Sequence, residues 1–183
     1  QEQGFFDGPV DHLFAMPVLV DYVRGRVDLA NAVIVSPDAG RIRVAEKWST
    51  KLGGCPLAFV HKTRDTTRPN VAVANRVVGE VAGKECVLVD DMIDTAGTIT
   101  EAIKVLTNAG AKKVIVAATH GILSDPAVRR LSESGATEVV ITDTLPVSAE
   151  KRFPSLTILS IAPLLARAIL EVFEDGSVTS LFT

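Results

Sequence analysis

The fold of this chain is indicated by one stretch, Val87-Leu88-Val89-Asp90-Asp91-Met92-Ile93-Asp94-Thr95-Ala96-Gly97-Thr98. It begins as an unbroken apolar run that includes the preceding Cys86, which is typical of a strand covered on both faces. Two carboxylates follow, then a turn of small and hydroxyl residues, then apolar residues at helical spacing from Ile99 to Leu106. Ligands bind at the carboxyl ends of parallel strands, so the stretch predicts a binding site at that edge.

The turn at residues 94–98 has the composition of a phosphate-binding loop, and we call it the phosphate loop. Ala96 and Gly97 leave the backbone open to close approach, and the first amides of the next helix lack intrahelical acceptors. Each hydrogen bond to a charged group contributes roughly 1.5–3 kcal/mol, against about 0.3–1 kcal/mol for the helix dipole. We therefore expect the amides and the hydroxyls of Thr95 and Thr98 to dominate phosphate binding.

Three acids, Asp90, Asp91 and Asp94, supply acceptors beside this loop. One hypothesis is that Asp90 and Asp94 flank the vicinal hydroxyls of a ribose whose phosphate lies on the loop. Alternatively, Asp94 only caps the helix and Asp90 is a strand-end acceptor. The complete run in its strand–turn–helix setting favours ligand binding.

Short β-branched runs alternate with helical patterns along the rest of the chain, which predicts an α/β fold with a mainly parallel sheet flanked by helices. The predicted strands lie at residues 31–36, 57–60, 86–89, 114–117, 138–142 and 156–160. The predicted helices lie at residues 43–52, 98–109, 126–134 and about 163–173. We further expect a mobile loop within 63–70, a hairpin within 71–81 with its turn near Gly79 or Gly83, and an edge strand within 177–182.

Composition excludes several classes of protein. A formal net charge of -3 provides no broad basic face for nucleic acid. No apolar run approaches the roughly 20 residues that span a bilayer, and no signal peptide stands at the start, so we expect a cytoplasmic protein without a membrane partner. Cys55 and Cys86 lie in apolar surroundings and are expected to be reduced core residues.

The run at residues 90–98 resembles the phosphoribosyl-pyrophosphate-binding loop of type I phosphoribosyltransferases and of phosphoribosyl pyrophosphate synthetases. Two further segments favour the synthetases. Val35-Ser36-Pro37-Asp38-Ala39-Gly40-Arg41-Ile42-Arg43-Val44-Ala45 resembles the stretch whose aspartate, here Asp38, helps hold Mg²⁺. His61-Lys62-Thr63-Arg64-Asp65 resembles the catalytic flexible loop, with Thr63 in place of its middle arginine. Taken singly, the aspartate is a common turn residue after proline, and the basic loop is a solvated surface.

The resemblance implies transfer of the diphosphoryl group of Mg-ATP to the C1 hydroxyl of ribose 5-phosphate. Lys62 and Arg64 would be catalytic, Asp38 would hold Mg²⁺, and Arg64 would also contact ribose 5-phosphate. The implied ribose-5-phosphate site further includes Asp90, Asp91, Asp94, Thr95, Ala96, Gly97 and Thr98. Residues 1–183 would form the C-terminal, phosphoribosyltransferase-like domain, with an interdomain stretch at 1–20 and a tail at 177–183. An N-terminal domain would precede it, and the assembly would be a homo-oligomer, by resemblance a hexamer.

Three other interpretations remain. A type I phosphoribosyltransferase gives no reason for the Lys62–Arg64 loop or for Asp38. A non-catalytic regulatory subunit of the synthetase has no need of an intact Lys62, Arg64 and phosphate loop. A regulator that senses phosphoribosyl pyrophosphate is disfavoured because the sequence shows neither a DNA-reading helix-turn-helix nor a basic patch.

Overall fold

Strands and helices alternate along residues 2–63 and 74–181, the part of the chain that this computed structural model describes. The strands are β1 (Ala32–Ser36), β2 (Leu57–Thr63), β3 (Ala74–Val78), β4 (Glu85–Ile93), β5 (Lys113–Gly121), β6 (Glu138–Thr142) and β7 (Leu156–Leu159). The α-helices are α1 (Met16–Arg24), α2 (Ile42–Lys51), α3 (Gly97–Asn108), α4 (Ala127–Ser132) and α5 (Ala162–Phe173). The predicted α/β class is confirmed.

One sheet joins all of these strands in the order β3-β2-β1-β4-β5-β6-β7. Every neighbouring pair is parallel except β2 and β3, which are antiparallel. The strand of the opening stretch, β4, lies at the centre, where Val87 is opposite Ile34 of β1 and Ile115 of β5. The carboxyl ends of β2, β1, β4 and β5 therefore lie along one edge of the sheet.

Helices cover both faces of the sheet, as the unbroken apolar strands predict. Side chains alternate along each strand, so Val33 and Val35 join the core under α3 and α4, whereas Ala32 and Ile34 join the core under α1 and α2. The apolar stripe predicted for α3 is fully buried in the first core, and it comprises Ile99, Ala102, Ile103 and Leu106. Two packed faces hold β4 rigidly and fix the direction in which its carboxyl end points.

Two predictions at the periphery are wrong, and one helix was not predicted. Residues 74–78 form a single strand against β2 rather than half of a hairpin closed within 71–81. The tail forms a 3-10 helix, Val178–Leu181, instead of an edge strand. Helix α1 was not predicted, because residues 1–20 carry the resemblance to an interdomain stretch; Pro17 in its first turn is in fact typical of a helix start. The predicted mobile loop lies outside the described residues except for Thr63, which ends β2.

Both cysteines are buried and free, as predicted. Burial raises the pKa of the Cys86 thiol to about 11, so this thiol stays protonated and behaves as a core side chain. Within residues 2–63 and 74–181, each helix is too short or too polar to cross a lipid bilayer.

Candidate functional site

A polar cleft of about 230 Å³ opens at the carboxyl ends of β1 and β4. Its walls come from the turn after β1, from the end of β4 and from the start of α3. The residues that line it are Asp38, Arg41, Asp90, Asp91, Met92, Ile93, Asp94, Thr95, Ala96, Gly97, Thr98 and Ile99. The cleft therefore brings together the aspartate after β1 and the complete run of acids and hydroxyls after β4, as the sequence predicts.

The phosphate loop owes its shape to Ala96. This residue has φ 60° and ψ 10°, the left-handed conformation that side chains other than glycine rarely adopt. Its side chain is buried in the core under α3, and its carbonyl accepts the Thr100 amide at 2.9 Å and the Thr100 hydroxyl at 2.9 Å. A left-handed residue at a helix start turns successive amides toward one point, which forms an anion-binding concavity. Strain held at this residue is typical of a functional loop.

A cation that the sequence reasoning missed holds the other side of this loop. Arg130 of α4 donates from Nη1 to the Thr95 carbonyl at 3.0 Å. A side chain placed at Gly97 would have its Cβ 3.5 Å from the same Nη1, so the guanidinium lies next to the loop. The side chains of Asp94, Thr95 and Thr98 remain exposed to the cleft. The loop thus combines amides, hydroxyls and a neighbouring positive charge, which suits a phosphate group.

The two carboxylates at the end of β4 have different surroundings. Asp90 is mostly buried, with its side chain 13% exposed, and its Oδ1 accepts the Asp91 amide at 2.9 Å. Asp91 is 37% exposed, and its Oδ1 accepts the Met92 amide at 2.9 Å. Arg41, which follows β1, lies 2.5 Å from Asp91 (Nη2 to Oδ2) and 3.7 Å from Asp90 (Nε to Oδ1). The strand extends through both acids, beyond its predicted end at residue 89.

Burial raises the pKa of Asp90 from 3.8 to about 6. The charge of Asp91 and its side-chain hydrogen bond act in the same direction. The backbone hydrogen bond from Asp91 and the charge of Arg41 act in the opposite direction, but they are outweighed by the loss of hydration. A carboxylate with a pKa raised by burial in a cleft is typical of a functional site, because protein stability alone disfavours it.

Asp38, the residue predicted to hold a cation, lies in the cleft just after β1. It precedes the short 3-10 turn Ala39–Arg41, and its Oδ1 accepts the Gly40 amide at 2.8 Å. Within residues 2–63 and 74–181, His, Cys, Asp and Glu side chains form no cluster of three that would enclose a metal ion. Mg²⁺ is commonly held by one or two carboxylates together with water and substrate phosphates. Asp38 in a cleft that also admits a phosphate therefore fits Mg²⁺ better than an ion that needs a protein cage.

The predicted catalytic loop is described only in part. The backbone of Lys62 belongs to β2, opposite Asn75 of β3. Ser36 of β1 is opposite Phe59 of β2, so the chain reaches Lys62 at the same edge of the sheet as Asp38. Arg64 lies outside the described residues. The functions of Lys62 and Arg64 therefore stay predictions.

A second, larger cavity of about 650 Å³ adjoins the cleft. Arg41, Asp90, Asp91 and Met92 line both. His120 also lines the larger cavity, and its Nδ1 lies 2.8 Å from the Thr144 hydroxyl. Arg41 and the two β4 acids thus form the wall between the two spaces.

Known proteins match this chain along its whole length. A ribose-phosphate pyrophosphokinase from Bifidobacterium longum is 72% identical over 184 residues, which is 100% of this chain and 54% of that protein. A crystal structure of phosphoribosylpyrophosphate synthetase from Mycobacterium smegmatis is similar with a TM-score of 0.85 and 59% identity, over 95% of this chain and 55% of that one. The chain spans about half the length of these relatives.

More distant structures share the fold alone. An APRTase from Giardia lamblia has a TM-score of 0.53 and 14% identity over 69% of this chain and 77% of that one. The predicted type I phosphoribosyltransferase-like fold is thereby confirmed. Residues 60–183, well over half of the chain, match the family described as the phosphoribosyl synthetase-associated domain. The chain belongs to this family.

Proposed function

We propose that this chain carries the ribose-5-phosphate site and the catalytic loop of a ribose-phosphate diphosphokinase. The reaction transfers the diphosphoryl group of Mg-ATP to the C1 hydroxyl of ribose 5-phosphate and gives phosphoribosyl pyrophosphate and AMP. One observation carries the proposal: a single cleft joins a strained phosphate loop to carboxylates at the end of a buried strand. Two relatives that cover the chain, named ribose-phosphate pyrophosphokinase and phosphoribosylpyrophosphate synthetase, support it.

The phosphate loop would bind the 5-phosphate. Amides of residues 94–98 would donate to its oxygens together with the hydroxyls of Thr95 and Thr98. Asp90 and Asp94 would accept hydrogen bonds from the ribose hydroxyls, with Asp91 beside them. Because these contacts fix both ends of the sugar, they would hold the C1 hydroxyl in one orientation for attack.

The other proposed site residues would act on the diphosphoryl group that is transferred. Asp38 would hold Mg²⁺, which when bound neutralises charge on the phosphate oxygens. Lys62 and Arg64 would close over the diphosphoryl group and stabilise the negative charge that develops on it. A homohexamer and a cytoplasmic location also belong to the proposal, on the resemblance to the synthetases alone.

Calorimetry with ribose 5-phosphate tests the site. We expect the unmodified chain to bind it and Asp94→Asn to bind it about 5- to 10-fold more weakly, because asparagine still accepts the hydrogen bond but without the charge. Asp21→Asn, at an exposed position on α1, is the matched control and should leave the affinity unchanged. Equal affinity of Asp94→Asn and the unmodified chain would contradict the assignment of the ribose site.

Product analysis tests the reaction. Incubation with Mg-ATP and ribose 5-phosphate should yield AMP and phosphoribosyl pyrophosphate in equal amounts, which a phosphoribosyltransferase does not produce. Lys62→Ala should reduce the rate by about 10²–10³-fold, without weakening the binding of ribose 5-phosphate. An unchanged rate would remove Lys62 from the mechanism.

A further inference from the structure

Arg41 is not one of the predicted site residues, yet it lies close to both carboxylates near the end of β4. It ends the short turn that Asp38 begins, and its side chain crosses from the β1 side of the cleft to the β4 side. Its guanidinium also forms part of the wall between the cleft and the larger cavity. Arg41 thus connects the predicted Mg²⁺ ligand to the predicted ribose ligands.

The carboxylates of Asp90 and Asp91 make different contacts, which suit them to different roles. Both oxygens of Asp91 are engaged within the protein, since Oδ1 accepts the Met92 amide at 2.9 Å and Oδ2 lies 2.5 Å from Arg41. Asp90 lies 3.7 Å from Arg41, which is too long for a hydrogen bond but close enough for charge attraction. Arg41 therefore fixes Asp91 and leaves Asp90 able to accept a ligand.

The ion pair between Arg41 and Asp91 contributes too little to folding stability for stability to be its role. The side chains of Arg41 and Asp91 are 41% and 37% exposed, and a pair with such exposure contributes little because water screens its attraction. Without the guanidinium, however, Asp91 would be an uncompensated negative charge beside Asp90, free to turn into the cleft. With stability set aside, the effect of Arg41 is to position the two carboxylates.

We propose that Arg41 is a positioning residue of the pentose site, which holds Asp91 against the cleft wall so that Asp90 and Asp94 accept the ribose hydroxyls. The proposal rests on the proposed function, because it assumes that ribose 5-phosphate is the ligand. Arg41 would touch the carboxylates and not the substrate. Its removal should therefore affect recognition of the sugar and spare recognition of the phosphate.

Two ligands separate these effects. Ribose 5-phosphate would be titrated by calorimetry, and inorganic phosphate by phosphorus NMR, against Arg41→Gln, Arg41→Lys and the control Arg43→Gln. Arg43 is an exposed basic residue on the same helix start. We expect Arg41→Gln to bind ribose 5-phosphate about 10-fold more weakly, because one hydrogen bond between a ribose hydroxyl and a misplaced carboxylate is lost, and to bind phosphate within about twofold of the unmodified chain. Arg41→Lys should be intermediate, because a lysine keeps the charge without the planar fork.

A double-mutant cycle with Asp91→Asn sharpens the test. If Arg41 acts by holding Asp91, the effects of Arg41→Gln and Asp91→Asn on ribose 5-phosphate affinity should be non-additive. Additive losses would overturn the proposal, and so would equal losses of ribose 5-phosphate and phosphate affinity in Arg41→Gln, since these indicate a distorted loop. Unchanged affinity in Arg41→Gln would overturn it too, while the proposed function stands. Failure of the unmodified chain to bind ribose 5-phosphate would instead refute the proposed function.

Discussion

Replacing Asp90 with asparagine should make the protein more stable and less able to bind its ligand. The carboxylate is 13% exposed and adjoins a second acid, and its pKa is raised from 3.8 to about 6. Asparagine has nearly the same shape, and its carbonyl oxygen still accepts the Asp91 amide. Asp90→Asn therefore removes the buried charge and keeps the local hydrogen bond.

The magnitude follows from the linkage between pKa and stability. Each pKa unit corresponds to 1.36 kcal/mol, so a shift from 3.8 to about 6 means that ionised Asp90 destabilises the fold by on the order of 3 kcal/mol. An acid with a raised pKa binds its proton more tightly in the folded state than in the unfolded state. The contribution of Asp90 to stability therefore falls as the pH rises from about 4 to about 6 and is level above that, a pH dependence that Asp90→Asn lacks.

Denaturant unfolding of both proteins between pH 4 and pH 8 measures this difference. At pH 7.5 we expect Asp90→Asn to unfold at a higher denaturant midpoint with an unchanged slope, and the gap to narrow steadily below pH 6. Ribose 5-phosphate affinity should fall about 5- to 10-fold in the same variant, because asparagine is a neutral acceptor. The exposed Asp94→Asn is the control and should change stability by less than about 0.5 kcal/mol. A stability gap that is absent at pH 7.5, or that does not depend on pH, would refute the reasoning.

Three further predictions concern the phosphate loop and the turn that follows β3. Arg130→Gln should loosen the phosphate loop and weaken ribose 5-phosphate binding several-fold by calorimetry, whereas the exposed neighbour Arg129→Gln should not; equal affinities would contradict the role of Arg130. Ala96→Val should destabilise the fold by about 2 kcal/mol or more in denaturant unfolding, because a β-branched residue is strained in the left-handed region; an unchanged midpoint would be inconsistent with the conformation of the loop. Gly79→Ala should cost several kcal/mol, since the new Cβ would lie 2.8 Å from the Cβ of Ala58 at φ +113°; thermal unfolding near the original midpoint would disprove that contact.

The centre of the sheet was predictable because its signals are local. An unbroken apolar run, two acids and a small-residue turn lie within residues 86–98, and the structure places them at a strand, a strand end and a helix start. The stripe of α3 follows from spacing alone, because residues three and four apart share one face of a helix. The cleft followed from one topological rule, since Asp38 follows β1, Asp90 lies near the carboxyl end of β4, and the two strands are parallel neighbours.

Contacts between distant segments were not predictable. Arg41 reaches residues about fifty positions away, and Arg130 contacts Thr95 across 35 positions; no sequence pattern marks either pairing. The prediction of an edge strand within residues 177–182 was wrong for a different reason. Residues 178–181 have strand-like composition but form a 3-10 helix, because β propensity expresses packing against neighbouring strands more than an intrinsic preference. The antiparallel pairing of β3 with β2 was likewise not predictable from a local pattern, because residues 64–73 separate the two strands in the sequence.

The two arginines explain how the proposed phosphate and ribose sites, which need opposite charges around them, would share one small cleft. A phosphate needs donors and positive charge, whereas sugar hydroxyls need acceptors, and a carboxylate beside a phosphate would repel it. Arg130 lies on the loop side and Arg41 on the carboxylate side, so one cation lies beside the phosphate loop and another beside Asp90 and Asp91. Both guanidiniums bind protein atoms, a carbonyl in one case and a carboxylate in the other. They therefore shape the site before a ligand arrives, which reduces the ordering that binding must bring about.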